Sequence, residues 1–357
     1  KTWGESSTST MARTRCSVLG LLMLSLFCVC RAIPSREFFR TALTPSQDGG
    51  KTWVLLAAGS SGWMNYRHQA DVCHAYQVFR AHQIPASQIV TMMFDDIATS
   101  FFNTIKGKVF NEPYGVDVYA GVQVDYRGRQ VNPKNFLAVL AGDKDKMHGI
   151  GSGRVIESGG EDKVVVYFAD HGAPGLLAFP SSFHLIPHAL FARPLLAALH
   201  AMHAAHKYGS MLWYVEACES GSMFAGVLGA ELRVLAMTAA APAEPSMACT
   251  YNYTLGVYLA DCFSLHLWRF EDSAPAPALT LDEQYQRLRA TTNSSHLCLY
   301  GDLSLANLPV ATFIPATPTP APAVGGQLPS EHGAVSSRYV TSSTLRRRVE
   351  GLEGGAG

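Results

Sequence analysis

The sequence predicts an α/β fold, with a mostly parallel sheet covered by helices on both faces. Two observations carry this. Five apolar runs of strand length recur along the chain, each too continuously apolar for a strand with one wet face. Stretches with helical spacing of apolar residues separate them, and strands that alternate with helices pair in parallel.

In order, "KTWVLLAAGS" from residue 51 reads as the first buried strand. "QADVCHAYQVFRAHQ" follows as a helix, because Val72, Cys73, Tyr76 and Phe79 fall on one face. "QIVTMMFDD" is the second strand. Asn132-Pro133 introduces a helix running through 135–140. "KVVVYFADHG" is the third strand, "PLLAALHAMHAAH" a helix, "SMLWYVEACES" the fourth strand and "RVLAMTAAA" the fifth.

The chain has 357 residues, 48% hydrophobic and 16% charged, with formal net charge +0. That suits one large domain, placed at residues 51–310, with tails. A net charge of zero without a basic patch argues against nucleic acid as a partner. Residues 1–10 read as an upstream segment foreign to the fold. "MARTRCSVLGLLMLSLFCVCRA", residues 11–32, reads as a secretory signal peptide, and residues 33–50 as a short pro-segment. The apolar core of that signal is short for a stable membrane span. Three of the eight cysteines lie inside it. The other five, Cys73, Cys218, Cys249, Cys262 and Cys298, are an odd set, so at least one thiol stays free in an oxidising compartment. Sequons at Asn252 and Asn293 fit glycosylation on the secretory route. From Ala311 the composition turns to Pro, Ala and Thr, and residues 311–357 read as a linker and a disordered tail.

The chemistry lies where two strands end. Open parallel sheets bind ligands beyond the carboxyl ends of their strands. One strand ends in Asp170-His171-Gly172, the other in Glu216-Ala217-Cys218. Flanking glutamates raise a thiol's pKa, so Cys218 needs a cation or a base beside it. His171 supplies either, and it precedes Cys218 by 47 positions, close to the His-to-Cys spacing of about 50 in caspases. A buried core thiol is the alternative for Cys218 taken alone. His200, His203 and His206 recur at three-residue spacing, but no Cys or carboxylate completes a zinc set, so a solvated helix face is the better reading and no metal is expected. Asp95-Asp96 reads as a loop feature. "GSSGW" lacks a nucleotide-binding pattern, and no cofactor is expected.

The runs "GWMNYRHQADVCHAYQ", "MMFDDIA", "GVDVYAGV", "NFLAVLAGD", "GIGSGRVIESG", "YFADHG" and "YVEACESGSM" resemble the legumain family, the asparaginyl endopeptidases of clan CD, from about residue 50 to 300. The resemblance implies a caspase-like three-layer sandwich and a route through the secretory pathway to a lysosome, endosome or vacuole-like compartment, or outside the cell. It implies cleavage after Asn, and after Asp at lower pH, through a thioester that water or an amine can resolve. Carried across, Cys218 matches the nucleophile, His171 the general base and Asn65 the residue that orients it. The N–H groups of Gly172 and Cys218 match the oxyanion hole. Arg67, His68, Glu216, Ser246 and Asp261 match the specificity pocket, where Arg67 donates to an asparagine carbonyl and the carboxylates accept from its NH2. Without the resemblance, Arg67 and Asp261 read as a structural ion pair. Asp170 matches a position that cyclises to a succinimide. The implied partners are protein or peptide substrates with accessible Asn, and cystatin-type inhibitors.

Three departures stand out. Pro245 sits beside the pocket where the family carries a serine, "SSFHLIPHALFARP" reads as a lengthened loop, and the C-terminal helical prodomain that caps the family's active site is expected to be missing. Two rivals remain: a related glycolipid-anchor transamidase, and a catalytically silent paralogue that only binds.

Overall fold

The computed structural model describes residues 50–180, 188–273, 277–316, 331 and 333–354. The central sheet takes its strands from the predicted runs. These are β1 (Thr52–Ala58), β2 (Ile89–Met92), β3 (Lys163–Ala169), and, after the short β4 (Gly172–Ala173), β5 (Leu176–Phe179) and β6 (His188–Phe191), β7 (Ser210–Glu216) and β8 (Val234–Thr238). Helices α1 (Tyr66–Ala81), α2 (Pro133–Leu140), α3 (Lys144–Met147) and α4 (Ala192–Ala204) lie between them. Further on come β9 (Met247–Asn252), β10 (Val257–Asp261), α5 (Cys262–Asp272), α6 (Leu281–Thr291), β11 (Cys298–Gly301), β12 (Val335–Ser336) and α7 (Val340–Gly354).

The sheet order is β11-β8-β7-β3-β1-β2. All neighbours pair in parallel except β11, which runs antiparallel to β8. Alternate side chains build two cores. Val54, Leu56, Tyr167 and Tyr214 face α1, α5 and α6, with Phe79, Phe263 and Trp268 filling between. Leu55, Ala57, Val166 and Trp213 face α2 and α4, against Phe136, Leu195 and Leu199. This is the three-layer sandwich, and strands greasy on both faces are what it requires. Trp213 meets Phe136 at 6.2 Å and Phe224 at 6.0 Å on one face. Truncating such a core aromatic to alanine costs about 3–5 kcal/mol. At α2, Asn132 caps the helix by accepting from the Asn135 N–H at 3.0 Å, and Pro133 takes the first turn, as the sequence suggested.

Two small antiparallel sheets and one long-range link were not foreseen. One sheet is β4-β5-β6 and the other β10-β9-β12. Cys249 and Cys262 form a disulfide that ties β9 to the start of α5. Cys73, Cys218 and Cys298 remain free thiols. The expected lengthened loop falls largely on residues 181–187, outside the described residues.

The expectation of a disordered tail is corrected for residues 333–354. Val335 and Ser336 pair with Ala248 and Met247 at the edge of β9. Helix α7 then docks on the β9–β10 hairpin. Val340 is buried against Ala248 and Tyr258. Arg347 lies over the rings of Tyr251 and Tyr258 at 5.1 and 5.8 Å, and Arg348 donates to the Gly256 carbonyl at 3.0 Å. An exposed strand edge takes another strand readily, and this segment supplies one. Among the described residues, no helix is long and apolar enough to cross a membrane.

Candidate active site

The chain leaves β1 toward β2 on one side and returns to β3 on the other, so the sheet has its switch point between β1 and β3. A crevice opens there beyond the strand ends. Register puts the predicted residues beside it. Ala169 pairs with Glu216, and the Asp170 N–H donates to the Glu216 carbonyl at 3.0 Å. His171 and Cys218 therefore leave neighbouring strands at the same level. Gly172 is forced by this approach, since a Cβ there would stand 2.1 Å from the Cys218 carbonyl oxygen.

Asn65 precedes α1 and fixes the imidazole. Its Nδ2 donates to the Ser61 carbonyl at 2.9 Å, which turns Oδ1 toward His171 Nε2, also at 2.9 Å. Nε2 then carries the proton, and the lone pair stays on Nδ1. Burial, helped by the charge of Arg67, pushes the His171 pKa down to about 3. Burial also raises the Cys218 thiol, against hydrogen bonding from Ser246. Both shifts favour the uncharged forms, a thiol beside a neutral imidazole. Of the two roles the sequence left open for His171, this favours the base over the cation.

Arg67, His68, Glu216, Ser246 and Asp261 come together next to the pair. Arg67 Nε donates to Asp261 Oδ1 at 2.7 Å, with both side chains buried. His68 Nδ1 meets Ser60 Oγ at 2.6 Å, its Nε2 lies 3.4 Å from Asp261 Oδ2, and its ring stands edge-on to His171 at 4.9 Å. Glu216 Oε2 accepts from the Ser264 N–H at 2.9 Å and Oγ at 2.8 Å. Cys218 Sγ and Ser246 Oγ are 3.8 Å apart. Arg67 Nη2 and Glu216 Oε1 are buried without a hydrogen-bond partner. The ion pair anticipated for Arg67 and Asp261 is present, yet Arg67 keeps a further donor unused.

Four buried carboxyls, Asp71, Asp170, Glu216 and Asp261, surround this single arginine. Burial raises all four. The charge of Asp261 adds to the rise at Glu216 and Asp71, while Arg67 opposes it at Asp261. Asp71, whose Oδ2 accepts from the Asp261 N–H at 3.2 Å, carries no local signal that marks it as part of this cluster. Asp95 and Asp96 are structural: Asp96 accepts from the Gly62 N–H and from Gln69 Nε2, both at 2.7 Å, and Asp95 binds Tyr119 and Arg127. His68, Asp170 and His171 are the one His/Cys/Asp/Glu group among the described residues with ligand atoms within 4.8 Å of one another. His200, His203 and His206 form no such group there.

The tail passes over this site. The Ser337 N–H donates to the Ser246 carbonyl at 3.0 Å. Ser337 Oγ donates to Asp261 Oδ1 at 3.2 Å and lies 3.4 Å from Ser246 Oγ. Arg338 pairs with Glu219, which is buried and left-handed at φ 50°. Ser337 and Arg338 were missed, because nothing in "AVSSRYV" marks them as contacts of residues some 75–120 positions upstream.

The peptidase C13 family profile matches residues 52–317. The chain is 46% identical to legumain of Homo sapiens over 267 residues, covering 75% of this chain and 60% of the relative. It is 39% identical to a hemoglobinase of Schistosoma japonicum over 303 residues, 85% of this chain and 69% of that one. It is 37% identical to the vacuolar-processing enzyme delta-isozyme of Arabidopsis thaliana over 322 residues, 85% of this chain and 68% of that one. The chain thus spans about 60% of the length of the human relative.

Proposed function

The chain belongs to the peptidase C13 family, and from that membership we propose that it is a cysteine endopeptidase that cuts after asparagine. The observation that carries the specificity is the pair of unpartnered buried groups in the pocket. Arg67 Nη2 is a donor and Glu216 Oε1 an acceptor. A carboxamide offers the complement of both, and a pocket with polar groups to satisfy rejects ligands that leave them unpaired.

In this reading His171 Nδ1 takes the thiol proton as Cys218 Sγ attacks the carbonyl carbon after asparagine. The N–H groups of Cys218 and Gly172 hold the oxyanion as it forms. The C–N bond breaks, His171 returns the proton to the leaving amine, and a thioester remains. Water, deprotonated by His171, hydrolyses it; an incoming amine instead would give ligation. Asn65 fixes the tautomer that makes Nδ1 the base. Substrate takes the edge of β9 that β12 occupies at rest, by strand addition. A neutral acid is the form from which Asp170 would close on the backbone nitrogen of His171, losing water, to a succinimide, and burial favours that form. Asn252 and the exposed Asn293 are the glycan acceptors. A lysosomal or vacuole-like compartment fits the relatives, and protein substrates fit the family.

The test is labelling with an electrophilic asparagine peptide, read by mass, beside matched peptides differing only at the residue before the cut. Modification at Cys218 and cleavage after Asn support the proposal. A chain freed of its tail that takes no label is a silent binder, and equal cutting after Lys, Leu or Phe removes the asparagine pocket.

A further inference from the structure

Beyond β2 the chain turns into a closed loop that keeps its apolar side chains in solvent. The Gly107 N–H donates to the Ala98 carbonyl at 2.8 Å, and the Lys108 N–H to the Ile105 carbonyl at 3.2 Å. Asn103 is buried inside the loop. Its Nδ2 donates to the carbonyls of Ile97 and Ala98, both at 3.2 Å, and of Lys108 at 2.9 Å. Its Oδ1 accepts from the Ile105 N–H at 2.9 Å. Residues 97–108 thus make an Ω-type loop that a buried polar side chain holds in one shape. Yet Phe101, Phe102 and Ile105 are 90%, 58% and 41% exposed on it. A single exposed apolar residue is ordinary, but three this close together on a fixed loop mark a contact surface.

The charges on the loop say what it contacts. Lys106 and Lys108 are exposed. Lys106 Nζ lies 5.8 Å from the centre of the Phe101 ring and donates to the Ser100 and Phe101 carbonyls at 2.5 and 3.1 Å. Residues 97–111 contain no Asp or Glu. The acids that flank them are turned elsewhere: Asp96 to Gly62 and Gln69, Glu112 to Arg269, and Asp117 to the N–H groups of Val109 and Tyr119. The loop therefore carries uncompensated cations beside an apolar tip. A bilayer interface with anionic headgroups over acyl chains complements both at once. We propose that residues 97–108 dock the protein on an anionic lipid surface. Phe101, Phe102 and Ile105 enter the headgroup region, and Lys106 and Lys108 meet its phosphates.

The position of the loop gives the contact a use. Strand β2 runs parallel to β1, and β1 to β3, so the loop leaves the sheet at the end where His171 and Cys218 lie. Its feet are bound beside the site. Asp96 accepts from the Gly62 N–H at 2.7 Å, and the Phe110 N–H donates to the hydroxyl of Tyr66, the residue between Asn65 and Arg67, at 2.6 Å. Docking through the loop holds the crevice close to the lipid, within reach of protein chains tethered there.

The experiment uses the chain from residue 33 onward, without the apolar run 16–30. Both packed cores lie within residues 53–314, so this chain keeps everything that folds them. Flotation compares vesicles of phosphatidylcholine with phosphatidylserine against phosphatidylcholine alone. The wild type should float with the anionic vesicles and be released by salt. Phe101→Ser with Phe102→Ser should weaken binding about tenfold or more. Lys106→Gln and Lys108→Gln should each weaken it about fivefold. The melting temperature of all these variants should stay close to that of the wild type, since the residues are exposed. Phe102→Trp should add fluorescence that brominated acyl chains quench, beyond the quenching of the wild-type tryptophans. A wild type that stays off anionic vesicles, or binds neutral ones equally, overturns the proposal. So does a Phe101→Ser, Phe102→Ser chain that floats like the wild type, or a Phe102→Trp chain without added quenching. A wild type that ignores lipid but associates with another protein through these phenylalanines overturns it in favour of a protein partner. No cleavage is read, so each of these outcomes leaves the asparagine reading where it stood.

Discussion

Arg338 of the C-terminal segment pairs with Glu219, the residue that follows Cys218. The C-terminal segment is thereby locked to the turn that carries Cys218. Glu219 is 2% exposed and Arg338 side-chain exposure is 47%, so the pair is half-screened. It contributes through Glu219, whose buried charge would otherwise stand uncompensated.

Arg338→Ala should therefore loosen that segment. The basal rate of Asn-peptide cleavage should rise roughly five- to thirtyfold, the range for losing a half-screened charged hydrogen bond of about 1–2 kcal/mol. Added salt should raise the wild-type rate and leave the variant's nearly unchanged. A variant rate equal to wild type at low salt would show that β12 and α7 hold the segment without this pair.

For the reacting groups, Cys218→Ser and His171→Ala should each lower cleavage by several orders of magnitude, since nucleophile and base act as one unit. Asn65→Ala should cost less, about 10–100-fold, because it frees a ring that still has its lone pair. Circular dichroism should show all three folded. An Asn65→Ala chain as inactive as His171→Ala would mean that Asn65 does more than orient the ring.

The central strands and the placement of His171 and Cys218 at their ends were legible because each is written locally. A buried parallel strand is a run of apolar residues, and a reactive group at its end interrupts the run, as His171 and Cys218 do. Ser60, Asp71 and the Cys249–Cys262 link are set by tertiary register, which no local pattern encodes. Strand β11 is half-buried, so it has no apolar run to betray it. The tail was misread because α7 is rich in Ser, Thr and Val, poor helix formers, and shows few apolar residues. Its anchors are polar: Ser337, Arg338, Arg347 and Arg348. Composition treats those residues as solvated, and only the partners on β9 and β10 make them contacts.

Stability should fall as pH rises from 6.5 to 8. Burial lifts Glu271 to about 8, with Asp71, Asp170 and Glu216 also raised. The folded state then binds more protons than the unfolded one across this window, so stability is present at acid pH and is lost as pH climbs through the folded values. His68 and His171 are lowered and act in the opposite sense, but only below the ordinary histidine range. Glu271 lies at the opposite end of α5 from Asp261 and Ser264, with Oε1 accepting from Gln284 Nε2 at 2.5 Å. Glu271→Gln should make the fall in melting temperature across pH 6.5–8 shallower without changing the pH profile of cleavage. A melting temperature that rises over that range would contradict the assignment of these carboxyls.

Selectivity between Asn and Asp should depend on the pocket's own protons. An asparagine amide is neutral and suits Arg67 and the carboxyls together. An ionised aspartate suits Arg67 but is repelled by any ionised carboxyl at Glu216 or Asp261. Burial raises both carboxyls, so they take up protons at a higher pH than a free substrate aspartate, whose pKa is about 3.9. The Asp-to-Asn rate ratio should then climb on acidification before the substrate itself is protonated. Asp261→Asn removes one repulsion and leaves the Arg67 charge less compensated. It should lower Asn cleavage about 10–100-fold, by leaving a pocket polar group mispaired. It should also raise the Asp-to-Asn ratio and move its rise to higher pH. Matched peptides assayed from pH 4 to 7 on chains with the tail removed would measure both curves. A ratio that stays flat in the wild type, or one that Asp261→Asn leaves where it was, would mean that the carboxyl controlling substrate charge is not Asp261.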